Sequence, residues 1–222
     1  MSIKQFGAKL FARYIVKKTQ KWVEHPYDSQ RKIFDKLIQK GGTTQFGKDH
    51  KFQDINNLVD FQSQVPVRNY EELKRYFDQV ADGEADILWP GKPLYLAKTS
   101  GTTSGSKYIP LTKDSMPNHI EAARNAILHY LYETGNYKIV DKKMIFLQGS
   151  PILEEKNGIN FGRLSGIVAH FVPGYLQKNR LPSWETNCID DWDQKIEKIT
   201  DETEKEDMGI ISGIPSWVQT YF

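Results

Sequence analysis

Apolar side chains recur at three- and four-residue intervals through several stretches of the chain, the spacing that gathers them on one side of an α-helix. Over residues 1–23, Ile3, Phe6, Leu10, Tyr14 and Val23 follow this rhythm. The same segment carries Lys4, Lys9, Arg13, Lys17, Lys18 and Lys21 and no acid. The pattern predicts an amphipathic helix whose apolar face packs on its own domain; a transit peptide or membrane-surface helix is the sharper alternative. Lysines interrupt every stretch that a secretory signal needs to be apolar. A second helix is predicted over Asp28–Lys40, with Ile33, Phe34, Leu37 and Ile38 inward and Gly41-Gly42 as its stop. Residues 43–68 read as irregular chain with one short helix near Leu58–Phe61. Asn69 then offers an N-cap with Glu72 at the capping-box position. Leu73, Tyr76, Phe77 and Val80 form the apolar face of the helix it opens, which Asp82-Gly83 ends.

Further along, Ile87–Pro90 reads as a short extended piece, and Leu94–Lys98 and Tyr108–Leu111 as strands. Thr112 opens a long helix reaching about Glu133, closed by Gly135. Lys143–Leu147 is a buried strand by pattern, and Asn157-Gly158 a tight turn. Asp191–Glu204 is amphipathic with Trp192, Ile196 and Ile199 inward, Gly209–Ser212 a strand, and Pro215 suits the first turn of a last helix. That helix has only begun when the sequence stops, leaving Trp217, Val218, Tyr221 and Phe222 expected to be unburied. The expectation is therefore an N-terminal fragment of a longer protein. Helices alternating with strands make the class mixed α/β, with β-sheets flanked by helices. Residues 1–42 form a helical lead-in to residues 1–222 as the N-terminal portion of one large domain.

Composition narrows the partners. The 222 residues hold 30 basic and 28 acidic side chains, a formal charge of +2, a weaker excess than phosphate-backbone binding usually shows. No nucleic acid is expected. No apolar run approaches the length of a membrane span. Cys188 is alone, so no internal disulfide forms, and five scattered histidines give no zinc spacing. The default is a reducing, cytoplasmic setting with no metal site.

The stretch that carries chemistry is Lys98-Thr99-Ser100-Gly101-Thr102-Thr103-Ser104-Gly105-Ser106-Lys107. From Thr99 to Ser106, six of eight residues bear a hydroxyl and two are glycine. Glycine lets backbone N–H groups converge, hydroxyls add donors without bulk, and Lys107 adds a compact cation. A polyphosphate calls for all three. A Walker-type loop is excluded, because Gly101 and Gly105 are one residue too close and Tyr108 follows the lysine. Ser104-Gly105-Ser106-Lys107 fits S-x-x-K, but that motif belongs on a helix and Tyr108-Ile109-Pro110 argues for a strand. A featureless Ser/Gly loop fits poorly between two strands.

Thr99–Lys107 resembles the phosphate-loop signature of the adenylate-forming superfamily, which includes firefly luciferase and the acyl-CoA synthetases. One residue is missing here between the second glycine and the lysine, relative to the commonest spacing. Thr44-Gln45-Phe46-Gly47 followed by His50, Val65-Pro66-Val67, Tyr70-Glu71-Glu72-Leu73 and Ile109-Pro110 are similar to the auxin-responsive Gretchen Hagen family of acyl-acid amido synthetases, bacterial members above all. The resemblance runs from about Thr43 to the end. It implies a partial adenylate-forming N-terminal domain and a ligase that uses ATP, with Mg, to turn a carboxylic acid into an acyl-adenylate and then couples it to an amine such as an amino acid. It implies Ser100, Thr102, Thr103 and Ser104 as phosphate donors, Gly101 and Gly105 as points of backbone approach, and Lys107 as the neutralising charge. An acyl-CoA ligase fragment and a non-catalytic nucleotide-binding remnant are the alternatives. The acidic adenine motif, the ribose motif and the C-terminal lid of the superfamily do not occur in these residues. The chain by itself is expected to be inactive, and no catalytic residue is assigned.

Two further residues are candidates for the acyl substrate. Arg124 lies among Ile120, Ile127 and Leu131 on the long helix and needs a partner there, a substrate carboxylate or, by preference, a structural Asp or Glu. His170 follows the small, apolar run Leu164–Ala169 and either lines an acyl pocket or, by preference, is a hydrogen-bonded core histidine. His129 is expected to be solvated. Asp190, Asp191 and Asp193 read as a helix cap, and Trp184, Trp192 and Trp217 as core or subdomain contacts.

Overall fold

A computed structural model of the chain describes residues 1–99 and 107–222. Helix α1 (Ile3–Glu24) runs almost directly into α2 (Pro26–Gly41), whose Pro26 presets the first helical φ. Next come α3 (Gln45–Asp49), a 3-10 turn at Phe52–Asp54, α4 (Leu58–Gln64) and α5 (Tyr70–Ala81). Strands β1 (Tyr95–Lys98) and β2 (Tyr108–Leu111) precede α6 (Met116–Thr134), a second 3-10 turn at Tyr137–Asp141, and β3 (Lys143–Phe146). A hairpin of β4 (Glu154–Lys156) and β5 (Ile159–Gly162) is followed by α7 (Leu164–Ala169), α8 (Gly174–Gln177) and β6 (Arg180–Leu181). The chain then forms α9 (Trp184–Asn187), α10 (Trp192–Thr203), β7 (Met208–Ser212) and α11 (Pro215–Tyr221). The mixed α/β class is as predicted. The elements group into two compact units, one of residues 20–116 and 154–161, the other of residues 1–19, 117–153 and 162–222.

In the first unit the strand order is β2-β1-β5-β4. The β4–β5 hairpin turns at Asn157-Gly158, both with positive φ (52° and 77°), as the turn signal predicts. The core joins Tyr76, Val80 and Ala81 of α5 to Leu96, Ile159 and Phe161. Three expectations change here. Ile87–Pro90 is bent rather than extended, and the backbone here serves α3: Gln45 N donates to Asp86 O (2.8 Å) and Phe46 N to Ile87 O (3.0 Å). Residues 43–68 hold α3 and a 3-10 turn besides the expected short helix, which runs on to Gln64 as α4. Ile33 and Leu37 of α2 are exposed, and only Phe34 and Ile38 are half-buried.

The Thr44–Gly47 run is explained by packing. Thr44 is fully buried; its Oγ1 accepts from Gly47 N (3.0 Å) and donates to Gly41 O (2.6 Å), capping α3 and tying it to the end of α2. A Cβ at Gly47 would lie 2.0 Å from Gly41 O, so no other residue fits there.

In the second unit β3 sits between β6 and β7, parallel to both. Its Met144 and Ile145 are buried, in keeping with a central parallel strand covered on two faces. One core cluster joins Ala12 and Ile15 to Leu128, Leu131 and Ile139; another joins Ile145, Leu147 and Ile199. The apolar end of the chain is better covered than expected. Trp217, Val218 and Tyr221 pack on the second cluster, Trp217 stacks near Trp192 (4.8 Å) and Tyr221 hydrogen-bonds Thr203 (2.7 Å), while Phe222 stays exposed. On α1 the predicted face is wrong: Ala12, Ile15 and Val16 are buried, and Ile3, Phe6, Leu10, Tyr14 and Val23 face outward. Ala12 and Ile15 are the residues of α1 that pack against Leu128, Leu131 and Ile139. Helix α6 starts at Met116 instead of Thr112, since Thr112 and Ser115 form a reciprocally capped turn ahead of it. His129 is half-buried and bonds Thr19 (3.0 Å) rather than being solvated.

Two stability outcomes follow. Gly47→Ala should lower unfolding free energy by about 1–3 kcal/mol, read as a reduced urea midpoint at unchanged m-value. Glu202 accepts from Ser183 N, Ser183 Oγ and Thr186 Oγ1, each at 2.6 Å. Burial pushes its pKa up, but these three donors outweigh it and hold the carboxyl below the ordinary glutamate value. A lowered folded pKa gives stability that is complete above the unfolded value and lost as pH falls through the folded one. Glu202→Gln should therefore cost about 1–2 kcal/mol near neutrality, with the gap to wild type closing in acid melts.

Candidate functional site

The hydroxyl-rich segment is the connection of an antiparallel hairpin. Strands β1 and β2 pair from Tyr95 opposite Leu111 to Lys98 opposite Tyr108. One step beyond, Thr99 N donates to Lys107 O (3.0 Å), and Lys107 N reaches Thr99 Oγ1 (3.4 Å). Residues 99 and 107 are thereby clamped as the neck of the loop. Ser100, Gly101, Thr102, Thr103, Ser104 and Gly105 lie outside the described residues.

Lys107 is half-buried, and its ammonium sits 5.2 Å from the centroid of the Tyr70 ring. No carboxylate pairs with it among the described residues. An aromatic face holds a cation without cancelling its charge, so the ammonium stays available to an anion. Tyr70 is itself fixed. Its hydroxyl accepts from Tyr108 N (3.3 Å), and its ring stacks on Phe77 at 4.8 Å. It opens α5 directly after the predicted capping box, in which Asn69 Oδ1 accepts from Glu72 N (3.0 Å) and Glu72 Oε2 from Asn69 N (2.7 Å). Sequence reasoning missed Tyr70 as a site residue. Its place in Tyr70-Glu71-Glu72-Leu73 marks the helix start, but nothing local reveals the strand it meets 38 positions on.

Arg124 and His170 lie in the other compact unit and share no contact among the described residues. The half-buried Arg124 donates to Asn125 Oδ1 from Nε (3.1 Å) and from its terminal nitrogen (3.0 Å), pairs with Glu121 at 3.5 Å and lies 5.3 Å over the Phe11 ring. His170 is exposed rather than a core residue. Its Nε2 bonds Pro151 O (2.8 Å) and its ring meets Trp184 edge-on at 5.0 Å; helix α7 ends at Ala169, which leaves His170 at the surface.

The Thr44–His50 motif builds a second polar group. Asp49 accepts from Tyr76 Oη (2.7 Å) and from Arg75 (2.9 Å). The Tyr76 hydrogen bond, more than burial opposes it, holds the Asp49 pKa below the ordinary value, with Gln45 and Arg75 adding to the effect. Gln45, Asp49, Arg75, Tyr76 and Gln79 line a shallow cavity that includes none of the proposed phosphate or acyl-substrate residues. His50 is buried and stacked on Phe46 (4.1 Å). Arg68 must donate to its Nε2 (3.1 Å), so Nδ1 carries the proton and donates to Phe46 O (2.8 Å). His50 holds α3 together and leaves no nitrogen for a ligand. Among the described residues no group of three or more His, Cys, Asp or Glu is placed to hold a metal.

Comparison with known proteins places this geometry in context. The profile of the GH3 family N-terminal domain matches residues 15–214. The indole-3-acetic acid-amido synthetase GH3.15 of Arabidopsis thaliana is 29% identical over 160 residues, 68% of this chain and 25% of its own length. The jasmonoyl–L-amino acid synthetase JAR4 of Nicotiana attenuata is 22% identical over 136 residues, 60% of this chain and 23% of its own. The chain spans about a quarter of the length of these curated relatives. In solved structures, the fold matches a GH3.15 acyl acid amido synthetase with a TM-score of 0.60 at 16% identity, covering 75% of this chain and 28% of that one. A second solved GH3.15 acyl acid amido synthetase, in complex with 2,4-DB, matches with a TM-score of 0.53 at 22% identity, covering 72% of this chain and 30% of that one.

The support that Tyr70 gives the hairpin is measurable by amide exchange. Tyr70→Phe keeps the ring under Lys107 and removes the acceptor for Tyr108 N. Exchange at Tyr108 should quicken about fivefold, equivalent to roughly 1 kcal/mol for one hydrogen bond, while the core of α5 is unchanged.

Proposed function

The chain belongs to the GH3 family, and from that membership we propose that the whole protein is an ATP-dependent ligase that activates a carboxylic acid as an acyl-adenylate and couples it to an amine such as an amino acid. Residues 1–222 supply the N-terminal portion of the large adenylate-forming domain, with 1–42 as its helical lead-in. The observation that carries the reading is the Lys107 ammonium, poised uncancelled over Tyr70 at the exit of a hairpin whose loop is built of serine, threonine and glycine.

A carboxylate is a poor electrophile, and joining its oxygen to a phosphate creates a good leaving group. Negative charge then moves onto departing pyrophosphate, and the chain's part is to stabilise it. Lys107 neutralises that charge; Ser100, Thr102, Thr103 and Ser104 donate to phosphate oxygens; Gly101 and Gly105 let the backbone come close. The Thr99–Lys107 clamp supports this by setting both loop ends in advance. Arg124 and His170 remain proposed acyl-side residues, Arg124 only if its guanidinium leaves Glu121. An amide product is favoured over a thioester because the similar enzymes above are amido synthetases. Among the described residues no helix is long and apolar enough to cross a membrane; a cytoplasmic setting is proposed from the single free cysteine.

The test is pyrophosphate release and amide formation by the full-length protein, given ATP, a panel of carboxylic acids and mixed amino acids. Lys107→Ala should lower kcat/KM about a hundredfold, within the range seen for losing one preorganised charge donor. Residues 1–222 alone should release none. Turnover with no acid of the panel, or an unaffected Lys107→Ala enzyme, counts against the proposal.

A further inference from the structure

Ile3, Phe6, Leu10 and Tyr14 are 94%, 52%, 51% and 63% exposed on α1. At 100° per residue they form one stripe, on the side of the helix opposite the buried Ala12 and Ile15. Lys17 and Lys21 continue the same line, with Lys9 and Arg13 along one edge and Lys18 along the other. The helix has no acid before Glu24. None of these five cations pairs with a carboxylate among the described residues. Most of the stripe also precedes residue 15, where the match to the family profile begins.

We propose that the outer face of α1 docks the protein on an anionic lipid surface, with the helix lying in the plane of the membrane. The apolar stripe enters the boundary between headgroups and acyl chains, and the flanking lysines extend outward to the acidic headgroups. Tyr14 has the amphipathic ring that suits this depth. A second copy of the chain is a poor occupant, because two such faces would bring cations against cations. Binding of this kind depends on the charge of the lipid and is screened by salt.

The experiment is co-sedimentation of the full-length protein with vesicles of phosphatidylcholine alone or with 30 mol% phosphatidylserine, roughly the range in which anionic lipid attracts basic segments. Partitioning should be at least tenfold stronger on the anionic vesicles and fall steeply in about 1 M salt. Phe6→Ser with Leu10→Ser should abolish it, and Lys9→Gln with Arg13→Gln and Lys18→Gln should weaken it more than tenfold, at roughly fivefold per cation near the surface. Circular dichroism checks that each variant is folded, which the exposure of these side chains favours. Four results overturn the proposal. They are no partitioning by the wild type; equal partitioning by the serine variant; a Leu10→Cys thiol that resists labelling in lipid-free protein, which would place the rest of the chain over the stripe; and poly-glutamate capture that depends on the stripe while vesicles do not bind, which would assign an acidic protein groove.

Discussion

The pairing of β1 with β2 is the constraint on which the candidate site rests. The ladder from Tyr95–Leu111 to Lys98–Tyr108, closed by Thr99 N on Lys107 O, sets both ends of a loop that has no apolar residue to fold it from within. The same ladder delivers Lys107 to the Tyr70 ring. A lysine on a free loop would be drawn to a surface carboxylate; here the strand backbone holds its Cα, and the aromatic face holds its ammonium, leaving the charge unspent.

Much of the surrounding sequence serves that arrangement indirectly. The Asn69–Glu72 capping box fixes the first turn of α5, which places Tyr70 under Lys107 and Tyr76 in the core. Thr44, Gly47 and His50 look like a site motif because their identities are so constrained, yet each is used for packing: a buried cap, a helix contact too close for a Cβ, and a histidine with both nitrogens bonded within or beside α3. These three residues thus serve the backbone of α3 and its contact with the end of α2.

Helix α1 shows how burial departs from hydrophobicity. Its largest apolar side chains face outward and its buried face is built on Ala12, Ile15 and Val16. A basic helix with a bare apolar stripe is suited to an interface whose other side is acidic and partly apolar.

Local signals in the sequence determined the helices with caps and periodicity, the Asn157-Gly158 hairpin, the strands bordering the hydroxyl-rich loop and the α/β class. These rest on backbone propensity and on spacing within a few residues, which a linear reading sees. Only the tertiary structure decided which face of α1 is buried, that Ile87–Pro90 bends to serve α3, that His170 lies at the surface, and that Tyr70 supports Lys107. Most of those depend on a neighbour distant in the sequence, and the free energy of such a contact is written in no local pattern.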